Sequence, residues 1–325
     1  MTINNTMKLE CKSTDITEAQ LFLLLASIVV FITAACFLFV LGTNSTDVAE
    51  YEIIWSLAKD KNFFEVYSEL RYEIGSFFLF WSLGQIFSAS MTFYLVSLTS
   101  LSIKFYLFKK YLNYPLVAFT LYTLAFVYFL DANAIRIALA ISIVFYALFL
   151  TPRHIYTYFF LAIVAGLLHY SGVIILILYF VRAPLLGLVL LVVFGFTFDF
   201  IVLSTDYLSF ARIWISHSWD AGNVNITSSL FIMQACISFV CAIYWNGLSE
   251  GQKKGAYLNM FGVVAYLTFI DNATVAHRIR ELSQIGMFSI LFLGERKLTY
   301  VKLLVSIFFC YIIIYNIWNA AGRLI

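Results

Sequence analysis

From Ala19 onward the chain alternates apolar runs with short polar connectors, and this alternation constrains its fold more than any other feature. The first run covers about Ala19 to Leu41; others occupy about 74–108, 115–130, 134–150, 155–168, 170–181, 185–203, 228–246, 256–271, 281–294 and 299–318. A helix needs roughly 20 residues to cross the hydrocarbon of a bilayer, and the longer runs meet that length. Soluble domains are about half apolar and a quarter charged; here 62% of residues are hydrophobic and 12% charged. The pattern predicts an all-α, polytopic integral membrane protein forming a single domain over 1–325. Pro115, Pro152 and Pro184 each fall at or just before the start of a run, where proline suits a first helical turn. The first run lacks the flanks of a cleaved signal and is read as a retained span.

Orientation follows from the connectors. One set carries Lys109, Lys110, Arg153, Arg182, Lys253, Lys254, Arg296 and Lys297. The other contains Asp131–Arg136, His169, Asp206–Asn225 and Asp271–Arg280. Placing the first set and the N-terminus in the cytoplasm satisfies the positive-inside tendency. With Lys104 and Lys302 counted there, 9 of 11 lysines lie inside, whereas six of nine arginines fall outside. Alternation then requires 74–108 to cross once overall, through a bent or re-entrant first half, giving about eleven crossings. The outer side receives a loop over 44–73, expected to hold one or two short interfacial amphipathic helices, and a second loop over 204–227.

Arginine on the outer side needs a reason beyond topology. A planar guanidinium binds phosphate oxygens bidentately; local Arg–carboxylate pairs explain the bias equally. The segment Asp271 to Glu281 packs Asp271, His277, Arg278, Arg280 and Glu281 between two apolar runs. It reads as one wall of an anion site, or as a polar loop with Arg278 and Glu281 paired at i,i+3. Glu73 begins an apolar helix, where a carboxylate also suits the positive helix terminus. Arg136 sits about one turn into its run, with Asp131 as a local partner or a ligand as a distant one. His169 lies between two apolar runs, as a structural hydrogen-bonding residue or a functional one. The loop near Arg212, His217, Trp219 and Asp220 can stack sugars or anchor at the interface.

Several chemistries are excluded. The cysteines at 11, 36, 236, 241 and 310 have no metal-ligand spacing. Metal-ligand motifs, phosphate-binding loops for nucleotides and nucleophile elbows are missing from the sequence. So is the basic tract of a nucleic-acid binder. A donor already carried in the membrane as a lipid phosphate or pyrophosphate remains.

Four motifs, Tyr72-Glu73-Ile-Gly75, Asn133-Ala-Ile-Arg136-Ile-Ala138-Leu-Ala140, Leu168-His169-Tyr-Ser171-Gly and Ala276-His277-Arg278-Ile279-Arg280, occur in this order. In order and spacing, over about residues 45 to 295, they resemble the EpsG/Wzy family of bacterial surface-polysaccharide polymerases, which make O-antigen and capsule. Relatives often carry Gln on either side of the first arginine; this chain has Ile135 and Ile137. The resemblance implies a GT-C-like glycosyltransferase of the bacterial inner membrane with a periplasm-facing site. Its donor and acceptor are oligosaccharides linked to undecaprenyl pyrophosphate, and it needs no cofactor or metal. A chain-length regulator, a flippase and membrane lipid are the partners implied. Glu73 or His169 would accept the proton of the attacking hydroxyl. Arg136, Arg278 and Arg280 would stabilise the departing pyrophosphate. Tyr72, Asp131, Asn133, Tyr170, Arg212, His217 and His277 would contact substrate. The competing readings are an O-antigen ligase and a flippase or transporter of lipid-linked sugars; an acyltransferase would rest on His169 alone.

Overall fold

The computed structural model describes residues 25–36, 62–70, 73–132, 134–150, 154–204, 224–294 and 299–324, together with 52, 55 and 56. All secondary structure among these residues is helical, as expected. In chain order the helices are α1 (Leu25–Cys36), α2 (Phe63–Leu70), α3 (Ile74–Gly84), α4 (Ala89–Tyr111) and α5 (Pro115–Tyr122). A π-helical stretch, Thr123–Asp131, continues α5. Then come α6 (Ile135–Phe149), α7 (Ile155–Leu168) and a 3-10 helix, Tyr170–Arg182. They are followed by α8 (Pro184–Ser204), α9 (Ser229–Ile243), α10 (Glu250–Thr268), α11 (Ala273–Ser283), α12 (Gly286–Phe292) and α13 (Thr299–Leu324).

Local chemistry sets several of these boundaries. Pro115 and Pro184 open α5 and α8. Ser88 caps α4 by accepting from the Met91 amide, and Lys109 and Lys110 sit in its last turn, where cations complement the helix dipole. Ser249 and Gln252 form a reciprocal capping box on α10.

The helices run between two ends of one bundle. At the first end Glu73 meets Arg136. At the other, Lys254 Nζ donates to the Leu150 carbonyl and the Tyr257 hydroxyl donates to the Pro184 carbonyl at 3.2 Å. Helix α3 is 11 residues long, roughly 16 Å at the α-helical rise. It stays near the Glu73 end, since Phe80 packs against Phe93 at 5.8 Å and shares a cluster with Ile135. The 74–108 segment therefore traverses the bundle once, through a short bent first half, as alternation required.

By length and composition, two of the described helices can cross a bilayer unaided: α4 and the Thr299–Asn316 part of α13. The other apolar stretches that this measure covers have 10–17 residues, the Pro184–Thr197 part of α8 among them, so the count of eleven crossings is not established by it. Winding changes reach, however. Thirteen residues as a 3-10 helix span roughly 26 Å against about 20 Å as an α-helix, which is how Tyr170–Arg182 extends so far.

The core is aromatic. Phe108, Phe119, Tyr122, Phe145, Phe288 and Phe309 are fully buried and meet largely edge to face. Lipid tails are as apolar as these rings, so tight interhelical packing rather than water exclusion holds such a bundle. The outer faces are apolar too: on α8, Leu185, Val189, Val193 and Phe196 are all exposed. In the 44–73 loop, α2 packs Phe63 and Tyr67 on Phe77, and the Trp55 indole donates to the Phe87 carbonyl at 3.1 Å.

Lys104 departs from expectation. It is not an inner-side topology lysine; it is wholly buried in the middle of α4 and ion-paired to Asp131 at 2.7 Å. Hydropathy sees the charge but not its depth.

Candidate active site

Glu73 is the N-terminal boundary residue of α3, yet its carboxylate makes no capping bond there. The Phe77 amide and the Ser76 hydroxyl bond instead to its backbone carbonyl, at 2.9 and 3.0 Å. The side chain is 1% exposed and reaches across the bundle: Oε2 accepts from Arg136 Nη1 at 2.5 Å. Oε1 accepts weakly from the Tyr170 amide at 3.4 Å and lies 3.8 Å from His169 Nε2. Arg136 is the second residue of α6. A cation is disfavoured beside a positive helix terminus, and the carboxylate of Glu73 offsets that cost.

Two glycines permit this approach. A side chain at Gly75 would place Cβ 2.7 Å from the Leu167 carbonyl oxygen, so α3 can lie on the end of α7 only without one. Gly172 is equally pressed, its Cβ position falling 2.6 Å from Ala165. Both belong to the motifs singled out in the sequence. Together they carry Glu73 to the turn where α7 meets the 3-10 helix, and His169 sits in that turn.

His169 Nδ1 accepts from the Ser171 amide at 3.2 Å, which assigns the proton of the neutral ring to Nε2, facing Glu73. Burial, then the charges of Arg136 and Arg278, push this imidazole down to about 3. The folded value lies below the ordinary 6.5, so neutrality is favoured on folding. The resulting stability is fully present above about 6.5 and is lost as pH falls from there toward 3. The thermal midpoint of the wild type should fall from pH 7 to pH 5 more steeply than that of His169→Gln. Parallel curves would show that burying neutral His169 contributes nothing.

Arg278 reaches the group through its field on His169, while its side chain is 44% exposed and lies 3.6 Å from Glu281. The i,i+3 pair read as one option in the sequence therefore exists, and at this exposure it is worth about 0.2–1 kcal/mol. Arg280 points elsewhere. Its guanidinium carbon lies 4.9 Å over the Tyr266 ring, and His277 meets the same ring edge-on at 5.3 Å.

Asp131 is also apart from Glu73. Ser100, Lys104 and Tyr122 all donate to its carboxylate, and it is wholly buried. The suggested Asp131–Arg136 pair is thus replaced by Asp131–Lys104 and Glu73–Arg136. Tyr170 contributes its amide to Glu73 and keeps its ring partly exposed. Tyr72, Asn133, Arg212 and His217 lie outside the described residues. Ile135 and Ile137, where relatives often have Gln, are buried among apolar neighbours. Tyr266, which holds Arg280 and His277, was not anticipated; a lone tyrosine in an apolar helix gives no distinguishing signal. Among the described residues no group of His, Cys, Asp and Glu is arranged to hold a metal ion.

Four separated segments thus bring Glu73, Arg136, His169 and Arg278 to one end of the bundle: a buried carboxylate, a neutral imidazole and two guanidinium groups. No curated protein and no solved structure matches the chain. A family profile, that of the EpsG family, matches residues 22–325. The match covers nearly the whole sequence, and the chain accordingly belongs to the EpsG family, a Wzy-like polymerase family of membrane proteins in polysaccharide biosynthesis.

Proposed function

We propose that the protein is a surface-polysaccharide polymerase, of O-antigen or capsule, that works at the periplasmic face of the bacterial inner membrane. It transfers a growing glycan from undecaprenyl pyrophosphate onto the terminal sugar of a lipid-linked repeat unit. The bond between the anomeric carbon and the pyrophosphate oxygen breaks, and a bond from that carbon to the acceptor hydroxyl oxygen forms. The hydroxyl proton passes to the enzyme, and the pyrophosphate departs as an anion. The carrying observation is the convergence of Glu73, Arg136, His169 and Arg278 from four distant segments.

Glu73 is the better placed proton acceptor. His169 has Nδ1 occupied by the Ser171 amide and Nε2 protonated, and its depressed basicity keeps it from taking a further proton near neutral pH. It serves instead to face and orient the carboxylate. Arg136 and Arg278 offer fixed positive charge where the leaving pyrophosphate gathers negative charge, an electrostatic contribution that costs no reorganisation during reaction. Arg278 has the exposure a ligand needs, and its link to Glu281 is weak enough to exchange.

Arg278→Ala tests this reading. The expected result, on a gel of extracted glycans, is loss of long polymer with retention of lipid-linked single units, at unchanged amounts of protein. A drop of about 100-fold or more is the scale for removing one such stabilising group. Polymer of ordinary length and amount would remove Arg278 from the reaction and with it the proposed site.

A further inference from the structure

Helix α2 lies in the outer loop, and its contacts put it beside Glu73. Phe63 and Tyr67 are one turn apart on it, with parallel rings at 6.0 Å. Both press on Phe77, at 5.1 and 5.7 Å. Phe77 is buried one turn beyond Glu73, and its amide bonds to the Glu73 carbonyl. Phe78 and Trp81 meet Phe63 edge-on, so the cluster around Tyr67 is aromatic throughout. A phenylalanine at 67 would pack as well. The half-buried Tyr67 makes no hydrogen bond through its hydroxyl among the described residues. It lies within electrostatic reach of Tyr170, as does Glu73. Tyr170 is 41% exposed and directs its amide at Glu73 Oε1. Two phenols from separate segments thus stand at the edge of one buried carboxylate.

The two carboxylate oxygens are unequal. Oε2 is taken by Arg136 at 2.5 Å, whereas Oε1 has only the 3.4 Å amide contact and His169 at 3.8 Å. Oε1 therefore has capacity left for an incoming hydroxyl. Tyr170 on that flank, and Tyr67 beside it, are partly exposed. A sugar ring presents what such a pair recognises: C–H faces that rest on aromatic rings, and hydroxyls that bond to phenols. We infer that Tyr67 and Tyr170 receive the terminal pyranose of the acceptor and hold one of its hydroxyls toward Glu73 Oε1. The inference rests on the polymerase reading above and adds Tyr67, and with it α2, to the residues that meet substrate. As the acceptor oxygen bonds to the anomeric carbon and the pyrophosphate leaves, the hydroxyl proton passes to Oε1. Recognition is thereby divided: the phenols hold the sugar, and the guanidinium groups hold the leaving anion.

The test titrates the full-length protein in lipid nanodiscs with two probes. One is the free repeat-unit oligosaccharide, released by mild acid from the lipid-linked units of a strain lacking the protein. The other is farnesyl pyrophosphate. Wild type should bind both. Tyr67→Phe and Tyr170→Phe each keep the ring and remove only the hydroxyl. Each should weaken the oligosaccharide by about three- to tenfold, the scale of one hydrogen bond, and leave farnesyl pyrophosphate unchanged. In steady state with the lipid-linked unit varied, Tyr67→Phe should raise KM by a similar factor at constant kcat. Unchanged oligosaccharide binding in either variant, equal weakening of both probes, or no oligosaccharide binding by wild type would overturn the subsite. Failure of the polymerase reading looks different: neither probe binds, and no glycan is lengthened in a reconstituted assay. Failure of the subsite alone leaves farnesyl pyrophosphate binding and glycan lengthening intact.

Discussion

Arg136→Ala is expected to cost the fold about 3–5 kcal/mol and to abolish polymer. Glu73 is almost fully buried and accepts a 2.5 Å bond from this guanidinium. Removing the arginine leaves a carboxylate sealed away from water with only the weak Tyr170 amide contact and a neutral imidazole near its other oxygen. Glu73→Gln leaves the converse problem, since Arg136 is itself only 16% exposed. A double variant, Arg136→Met with Glu73→Leu, separates structure from chemistry. Replacing a buried pair by apolar groups is often neutral for stability, so the double variant should recover most of the lost thermal midpoint. It should nevertheless make no polymer. Recovery of both stability and polymer would reduce the pair to a fastener, and an unchanged midpoint in Arg136→Ala would mean that the pair does not form.

How far the sequence reveals this arrangement depends on the range of the interaction. All-helical character, the proline starts of α5 and α8 and the single traverse of 74–108 are legible, because hydropathy and proline chemistry act over a few residues. The motif residues Glu73, Arg136 and His169 are legible as candidates. Their partners are not. Arg136 has Asp131 five residues away but bonds to Glu73, 63 residues away, through packing that Gly75 permits. Arg278 and Arg280 look like one cluster when read linearly. Helical periodicity already places them on opposite faces, and that signal was available without coordinates. Lys104 shows the converse failure: the lysines flanking it along α4 are at a helix end, whereas it is four residues from Ser100 in mid-helix.

That buried lysine supports the second large effect. Asp131 Oδ1 accepts from Lys104 Nζ at 2.7 Å and from Ser100 Oγ at 2.8 Å, and Oδ2 accepts from the Tyr122 hydroxyl at 2.5 Å. Ser100 and Ser142 lie 3.3 Å apart, so the cluster joins α4, the π-helical stretch and α6. The winding matters. Residues nine apart on an α-helix fall two and a half turns apart, on opposite faces. Wider i→i+5 turns over Thr123–Asp131 bring Asp131 round to the side of Tyr122. Asp131→Asn or Lys104→Met alone should each cost about 3–5 kcal/mol, by stranding a charge or unpairing its acceptors. The combined Lys104→Met and Asp131→Leu variant should approach wild-type stability, read by denaturation in one detergent, and the shortfall from additivity measures the pairing. Ser142 lies six residues beyond Arg136 on α6, about 9 Å along its axis, so the double variant should keep making polymer. Loss of polymer in a double variant that remains folded would instead make this node part of the machinery that places Arg136.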